Sequence, residues 1–243
     1  MFCRHCGKEI ADGQAFCHAC GGEVPLPLPQ EKAQQSRTPW ELRREVGFFR
    51  GIWVTLRESL FSPTMFFRNM PVSGGLVDPT LYAMITGMTG ITLLVLWQVL
   101  FREALPMTVQ EGKSSAGAMM FALFAPFLII ANLYLWAGML HVLLILVRGV
   151  RHGFEATFRV AAHSYGALVF LAVPFCGWPL AAVWSMILAV IGLREAQGAA
   201  GVKAAFAVFF PILFCCAAMV FLSMLVFGTI ASSFGALMPH PWK

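Results

Sequence analysis

The sequence predicts an all-α polytopic membrane protein with a small cysteine-tied head, and three observations predict it. Of 243 residues, 58% are hydrophobic and only 12% charged, and a mean hydropathy of +0.73 lies outside the range of soluble globular domains. Long apolar runs, some exceeding twenty residues, all fall after residue 79, where they are long enough to cross a bilayer. Four cysteines stand in two close pairs within the first twenty residues. A large soluble catalytic domain has no room, and the N-terminus lacks the basic-then-apolar pattern of a secretory signal, so the head is expected to stay unexported.

The head comes first. Cys3, Cys6, Cys17 and Cys20 form a C-x2-C pair, a ten-residue gap and a second C-x2-C pair, so each pair offers two thiolates from one tight turn to a tetrahedral ion. Gly7 and Gly21-Gly22 follow the cysteines, where such knuckles turn sharply. A segment this short has almost no core, so one structural Zn2+ per chain would supply its folding free energy. Four thiolates leave no open position for a catalytic water. The stretch CRHCGKEIADGQAFCHACG resembles the zinc-ribbon knuckles that precede many bacterial membrane proteins, and residues 1–22 are expected to form one.

Residues 23–39 carry Pro25, Pro27 and Pro29 and then a polar tract, which reads as a partly extended linker. From Trp40 the spacing becomes helical. Leu42, Val46, Phe49, Trp53, Leu56 and Leu60 recur at steps of four and three, with Arg43, Arg44, Arg50 and Arg57 off that stripe. A basic amphipathic helix with Phe49 and Trp53 on its apolar side belongs at a membrane surface, or packs on the bundle. Ser62-Pro63 opens a second short surface helix that ends near residue 70.

The five-span membrane domain is expected over 71–235. Asp78-Pro79 begins the first span, 79–101; the second is 120–147, with Pro126 as a kink or start. Two thinner runs, 160–175 and 177–193, flank PFCGWP and form either a tight hairpin or a re-entrant pair. The last span is 204–230, bent at Pro211. The spacing Gly87-x-x-Gly90 marks a small-residue patch for close helix packing.

Basic residues in the short flanks set the orientation. Arg43, Arg44, Arg50, Arg57, Arg68, Arg148, Arg151, Arg159, Arg194 and Lys203 fall on one side, and only Arg102, Lys113 and Lys243 on the other. The head is therefore expected in the cytoplasm, where thiols stay reduced, and the C-terminus outside, in a bacterial inner membrane. The net charge of +5 is then mostly topological and implies no nucleic acid.

The segments FFRGIWVTLRESLFSPTMFFRNMPVSGGLVDPTLYA, HVLLILVRGVRHGFEATFRVAAHSYGAL, VPFCGWPLAAVWSMILAVIGLREAQG and KAAFAVFFP resemble the Yip family, five-span membrane proteins named for interaction with Ypt/Rab GTPases. The resemblance covers about residues 48–215. It implies five helices, a cytoplasmic N-terminus and no catalytic residues, and its eukaryotic members act in vesicle trafficking and membrane shaping. His141, Gly153, Phe154, Thr157, Tyr165, Pro174, Gly192, Leu193 and Glu195 fall on its recurring positions.

Polar groups within the membrane are costly enough to need a partner or a purpose. Those are Asn132, His141 and His163, with Glu155 and Arg159 at the cytoplasmic end of the third segment. Interhelical hydrogen bonds are the plainer role for each. His141 and Asn132 fall on opposite helix faces, which argues against one shared site. No Walker loop, nucleophile elbow, H-E-x-x-H or dinucleotide glycine pattern is present. The reading is a non-catalytic membrane organiser or adaptor whose partners are the lipid bilayer and a cytoplasmic protein held by the head, with a homo-oligomer left open. The alternative is a small transporter or channel for an ion, lipid or small solute.

Overall fold

The computed structural model describes residues 37–101 and 115–237, together with Cys6 and Cys20. The chain divides into two compact units, Met1–Ser36 and Arg37–Lys243. In the first, Cys6 and Cys20 are exposed and each lies in a turn. Cys3, Cys17 and the rest of the expected knuckle and linker lie outside the described residues.

The second unit is helical, with no strand among its described residues. It begins with α1 (Arg43–Val46) and α2 (Phe48–Phe61). The sequence led us to expect one helix from Trp40, but the chain breaks at Gly47, whose φ of 94° lies outside the helical region and turns the backbone. The inward face of α2 is Gly51, Thr55, Ser59 and Leu60. Phe49 and Trp53 are 83% and 65% exposed, so the apolar stripe read from the sequence is split: Leu60 enters the bundle, whereas Phe49 and Trp53 point away from it. Arg44, Arg50 and Arg57 are exposed as well. Pro63 then starts α3 (Pro63–Asn69) at its first position, where its fixed φ suits a helix and its missing N–H costs nothing. Phe66 and Phe67 of α3 are buried.

Next come α4 (Val77–Leu100), α5 (Ser115–Leu146), α6 (Phe154–Ser164), a 3-10 helix (Tyr165–Ala172), α7 (Gly177–Gln197) and α8 (Gly201–Leu237). Four stretches among the described residues are long and apolar enough to cross a membrane: Val77–Trp97, Leu123–Leu146, Gly177–Gln197 and Gly201–Phe227. The stretch expected as a span over 160–175 has a different build. It begins at Phe154 and changes from α to 3-10 geometry after Ser164. At 1.5 and 2.0 Å per residue the two parts rise about 32 Å together, close to the thickness of the hydrocarbon core.

The middle of the bundle is α6. It packs against α4, α5 and α7, and every residue from Ala156 to Ser164 is buried. Leu133, Ala137, Leu140 and Leu144 of α5 join Phe158, Val160 and Ala161 of α6, and Leu188 and Leu193 of α7, in one core. Gly90 of α4 lets the 3-10 helix approach closely: a methyl group there would stand 2.9 Å from the Leu168 carbonyl oxygen. Beyond Ile212, by contrast, the described side chains of α8 are exposed.

Candidate functional site

Glu155, Arg159 and His163 are four residues apart on α6 and therefore lie one above another on one face. The Arg159 side chain is 0% exposed, so each of its donors needs a partner. Its Nη1 meets Glu41 Oε1 at 2.6 Å, its Nη2 donates to the Gly75 carbonyl at 3.0 Å, and its Nε faces Glu155 Oε1 at 3.4 Å. The guanidinium thereby joins the chain ahead of α1, the α3–α4 loop and its own helix.

Each arm is held by local structure. Thr38 and Glu41 bond reciprocally, the Thr38 N–H donating to Glu41 Oε2 at 2.8 Å and the Glu41 N–H to Thr38 Oγ1 at 3.3 Å; this is the geometry of a capping box. Between them Trp40 is 1% exposed. Its backbone N–H donates to Thr55 Oγ1 at 2.8 Å and its indole N–H to the Asp78 carbonyl at 2.7 Å. In the loop, Gly74 and Gly75 have φ of 128° and 97°, angles that glycine reaches without strain. The Gly75 N–H donates to Glu155 Oε1, so one glycine offers its carbonyl to the arginine and its amide to the carboxylate.

One turn further along α6, His163 is buried, with Nδ1 2.7 Å from the Arg159 carbonyl. A carbonyl only accepts, so Nδ1 carries a proton. Nε2 has no hydrogen-bond partner among the described residues. The ring stacks on Tyr82, centroids 5.1 Å apart, and leans on Phe66 at 5.2 Å.

The remaining intramembrane residues read from the sequence reach α6 or its 3-10 continuation elsewhere. His141 Nδ1 lies 2.9 Å from Thr157 Oγ1. Thr157 Oγ1 also accepts from Gln197 Nε2 at 2.9 Å, and Gln197 Oε1 accepts the His152 N–H at 2.8 Å. Asn132 Oδ1 accepts from the Tyr165 hydroxyl at 2.5 Å. The five residues thus form three separate groups about one helix: Glu155, Arg159 and His163 stand together, and His141 and Asn132 apart.

Glu41, Gly75 and Gln197 were missed by the sequence reasoning, and Thr157 was marked only as a recurring position of the family resemblance. The pattern T-x-x-E at Thr38–Glu41 ahead of an apolar run is the signal that marks Glu41; the Gly75 carbonyl and Gln197 carry none. Among the expected surface residues, Arg43 needs correcting. It pairs with Asp78 at 2.7 Å and lies 4.5 Å above the Trp40 ring, so it helps to fix Trp40 and is not free to face lipid.

Several polar ties share one end of the bundle. Arg68 pairs with Glu195 at 3.0 Å, and Lys203 Nζ donates to the Arg148 carbonyl at 2.9 Å. At the other end the ties are aromatic: Trp97 Nε1 lies 3.1 Å from the Leu171 and Ala172 carbonyls, and Phe101 meets Phe175. Four long apolar helices, three of them packed on a buried polar one, define an integral membrane protein of the all-helical polytopic class. The Yip1 domain model matches residues 57–234, and the chain belongs to that family. The zinc-ribbon domain model matches residues 2–24, which makes the N-terminal segment a zinc-ribbon domain. No curated protein matches the chain, and no solved structure does.

Proposed function

We propose that the chain is a non-catalytic membrane organiser or adaptor whose zinc-ribbon head recruits a protein in the cytoplasm. The observation that carries this reading is the buried Arg159–Glu41 pair. It fastens the start of the second unit, the root of the chain that leads to the head, to the central helix. The donor set Cys3, Cys6, Cys17 and Cys20 fits one tetrahedral zinc ion, which would fold the head. The head and the polar end of the bundle face the cytoplasm of a bacterial cell, in keeping with the basic flanks. On the outer side of α2, Phe49 and Trp53 dip into the inner leaflet while Arg44, Arg50 and Arg57 meet its headgroups. A transport path finds less support, because Asn132, His141 and Arg159 are each tied separately to α6 or its 3-10 continuation.

Affinity capture with the full-length protein from a membrane extract, beside a version with the four head cysteines changed to serine, tests the recruitment. The account expects partners that only the native head retains, with about one zinc ion per chain. Identical captures by the two versions would remove its basis, and selective solute flux in proteoliposomes that falls on His141→Ala would favour the transporter.

A further inference from the structure

A cavity of about 260 Å³ lies where α5, α6, the 3-10 helix and α7 meet. Helices α5 and α7 each pack on α6 more than on each other, which leaves a cleft with buried Ala161 and Ser164 at its floor. Trp136, Leu168 and Met186 line it, and Asn132 stands exposed at its rim. The cleft sits at the change from α to 3-10 geometry, and the 3-10 run of eight residues is longer than the three or four that such helices usually sustain.

Its polar atoms are unevenly satisfied. The Tyr165 hydroxyl donates to Asn132 Oδ1, Ser164 Oγ to the Val160 carbonyl at 2.8 Å, and Ser185 Oγ to the Ala182 carbonyl at 2.8 Å. Every hydroxyl has used its one hydrogen and keeps lone pairs. The Asn132 amide N–H groups have no partner among the described residues. Asn132 is about 14 Å along α5 from Leu123 and about 21 Å from Leu146, so this set of donors and acceptors stands deep in the hydrocarbon, where lipid tails cannot satisfy it. Among the described residues, no carboxylate, lysine, arginine or histidine lines the cavity.

We propose that this cavity binds an uncharged, hydroxyl-bearing amphiphile from the bilayer. A hydroxyl accepts from the Asn132 amide and donates to the Tyr165 or Ser185 oxygen, while the apolar body lies along Trp136, Leu168 and Met186. A charged headgroup finds no counter-ion there and is disfavoured by the depth.

The test uses full-length protein in lipid nanodiscs and three photoactivatable diazirine probes of equal length: a long-chain alcohol, its carboxylate and the plain alkane. The alcohol is expected to label peptides carrying Trp136, Leu168 and Met186, and labelling is expected to fall about fivefold in Tyr165→Phe, the loss of one hydrogen bond, and further in Asn132→Leu. Ser185→Leu, which fills the cavity, is expected to abolish it without changing alkane labelling of the lipid-facing surface. An alcohol pattern equal to that of the alkane or the carboxylate, or one unchanged in Tyr165→Phe, would overturn the proposal; so would an absence of label in the cavity, the result for a cavity holding water alone. Native head capture is not involved in any of these readouts, so failure here leaves the recruitment reading intact.

Discussion

The central helix α6 and the outer half of α8 make opposite use of polarity. Helix α6 holds Glu155, Arg159, His163 and Ser164 in eleven residues and is buried from Ala156 to Ser164. Helix α8 supplies the most apolar of the four spans and the least buried one, with Leu213, Phe221, Leu222 and Phe227 all exposed. In water this order would be inverted. A bilayer makes apolar exposure cheap and polar exposure dear, so the helix with the most to hide takes the middle and small residues and hydrogen bonds hold it there.

The comparison is broken most forcefully at Arg159. Arg159→Met leaves the buried Glu41 carboxylate without its cation, while Glu155 keeps the Gly75 amide, and a loss of about 3–5 kcal/mol is expected, seen as a drop in thermal midpoint in detergent by size-exclusion chromatography; a midpoint within error of the native protein would contradict it. Gln197→Leu takes the acceptor from the Arg151 and His152 amides and one donor from Thr157, which keeps His141, with an expected loss of up to about 3 kcal/mol by the same assay. Gly90→Ala pushes a methyl group against the Leu168 backbone and is expected to cost about 1–2 kcal/mol, whereas Gly138→Ala, where that methyl meets nothing within 4 Å, is not. The smallest effect is expected on α8: Leu222→Ala or Phe227→Ala in lipid changes stability by about 0.5 kcal/mol or less, and a large loss at either position would reveal a packed partner.

Hydropathy reads the surface of such a protein better than its core. The four apolar helices were legible because lipid contact demands long uninterrupted runs, and Pro63 announced α3. The third segment was drawn too short, at 160–175, because Glu155 and Arg159 break the apolar run that defines a span, and those residues are what the centre of the bundle needs. The stripe Phe49–Trp53 was legible as apolar, but Gly47 redirected α2 so that Gly51, Thr55 and Ser59 face inward instead. At the site, Glu155, Arg159 and His163 stood out as polar groups in or at the end of an apolar segment. Their partners did not: Glu41 is 118 residues from Arg159 in sequence, and the Gly75 carbonyl is backbone, which no side-chain pattern reports. The T-x-x-E pattern at Thr38 was the one local sign of it.

The tie between the chain ahead of α1 and the central helix is tested most directly by a double-mutant cycle on Glu41 and Arg159, read as thermal unfolding in lipid nanodiscs. Glu41→Gln is expected to destabilise the native protein but to be neutral or stabilising in the Arg159→Met background, since there it removes a stranded charge. Losses that simply add would show that the two side chains do not depend on each other, and would contradict the account.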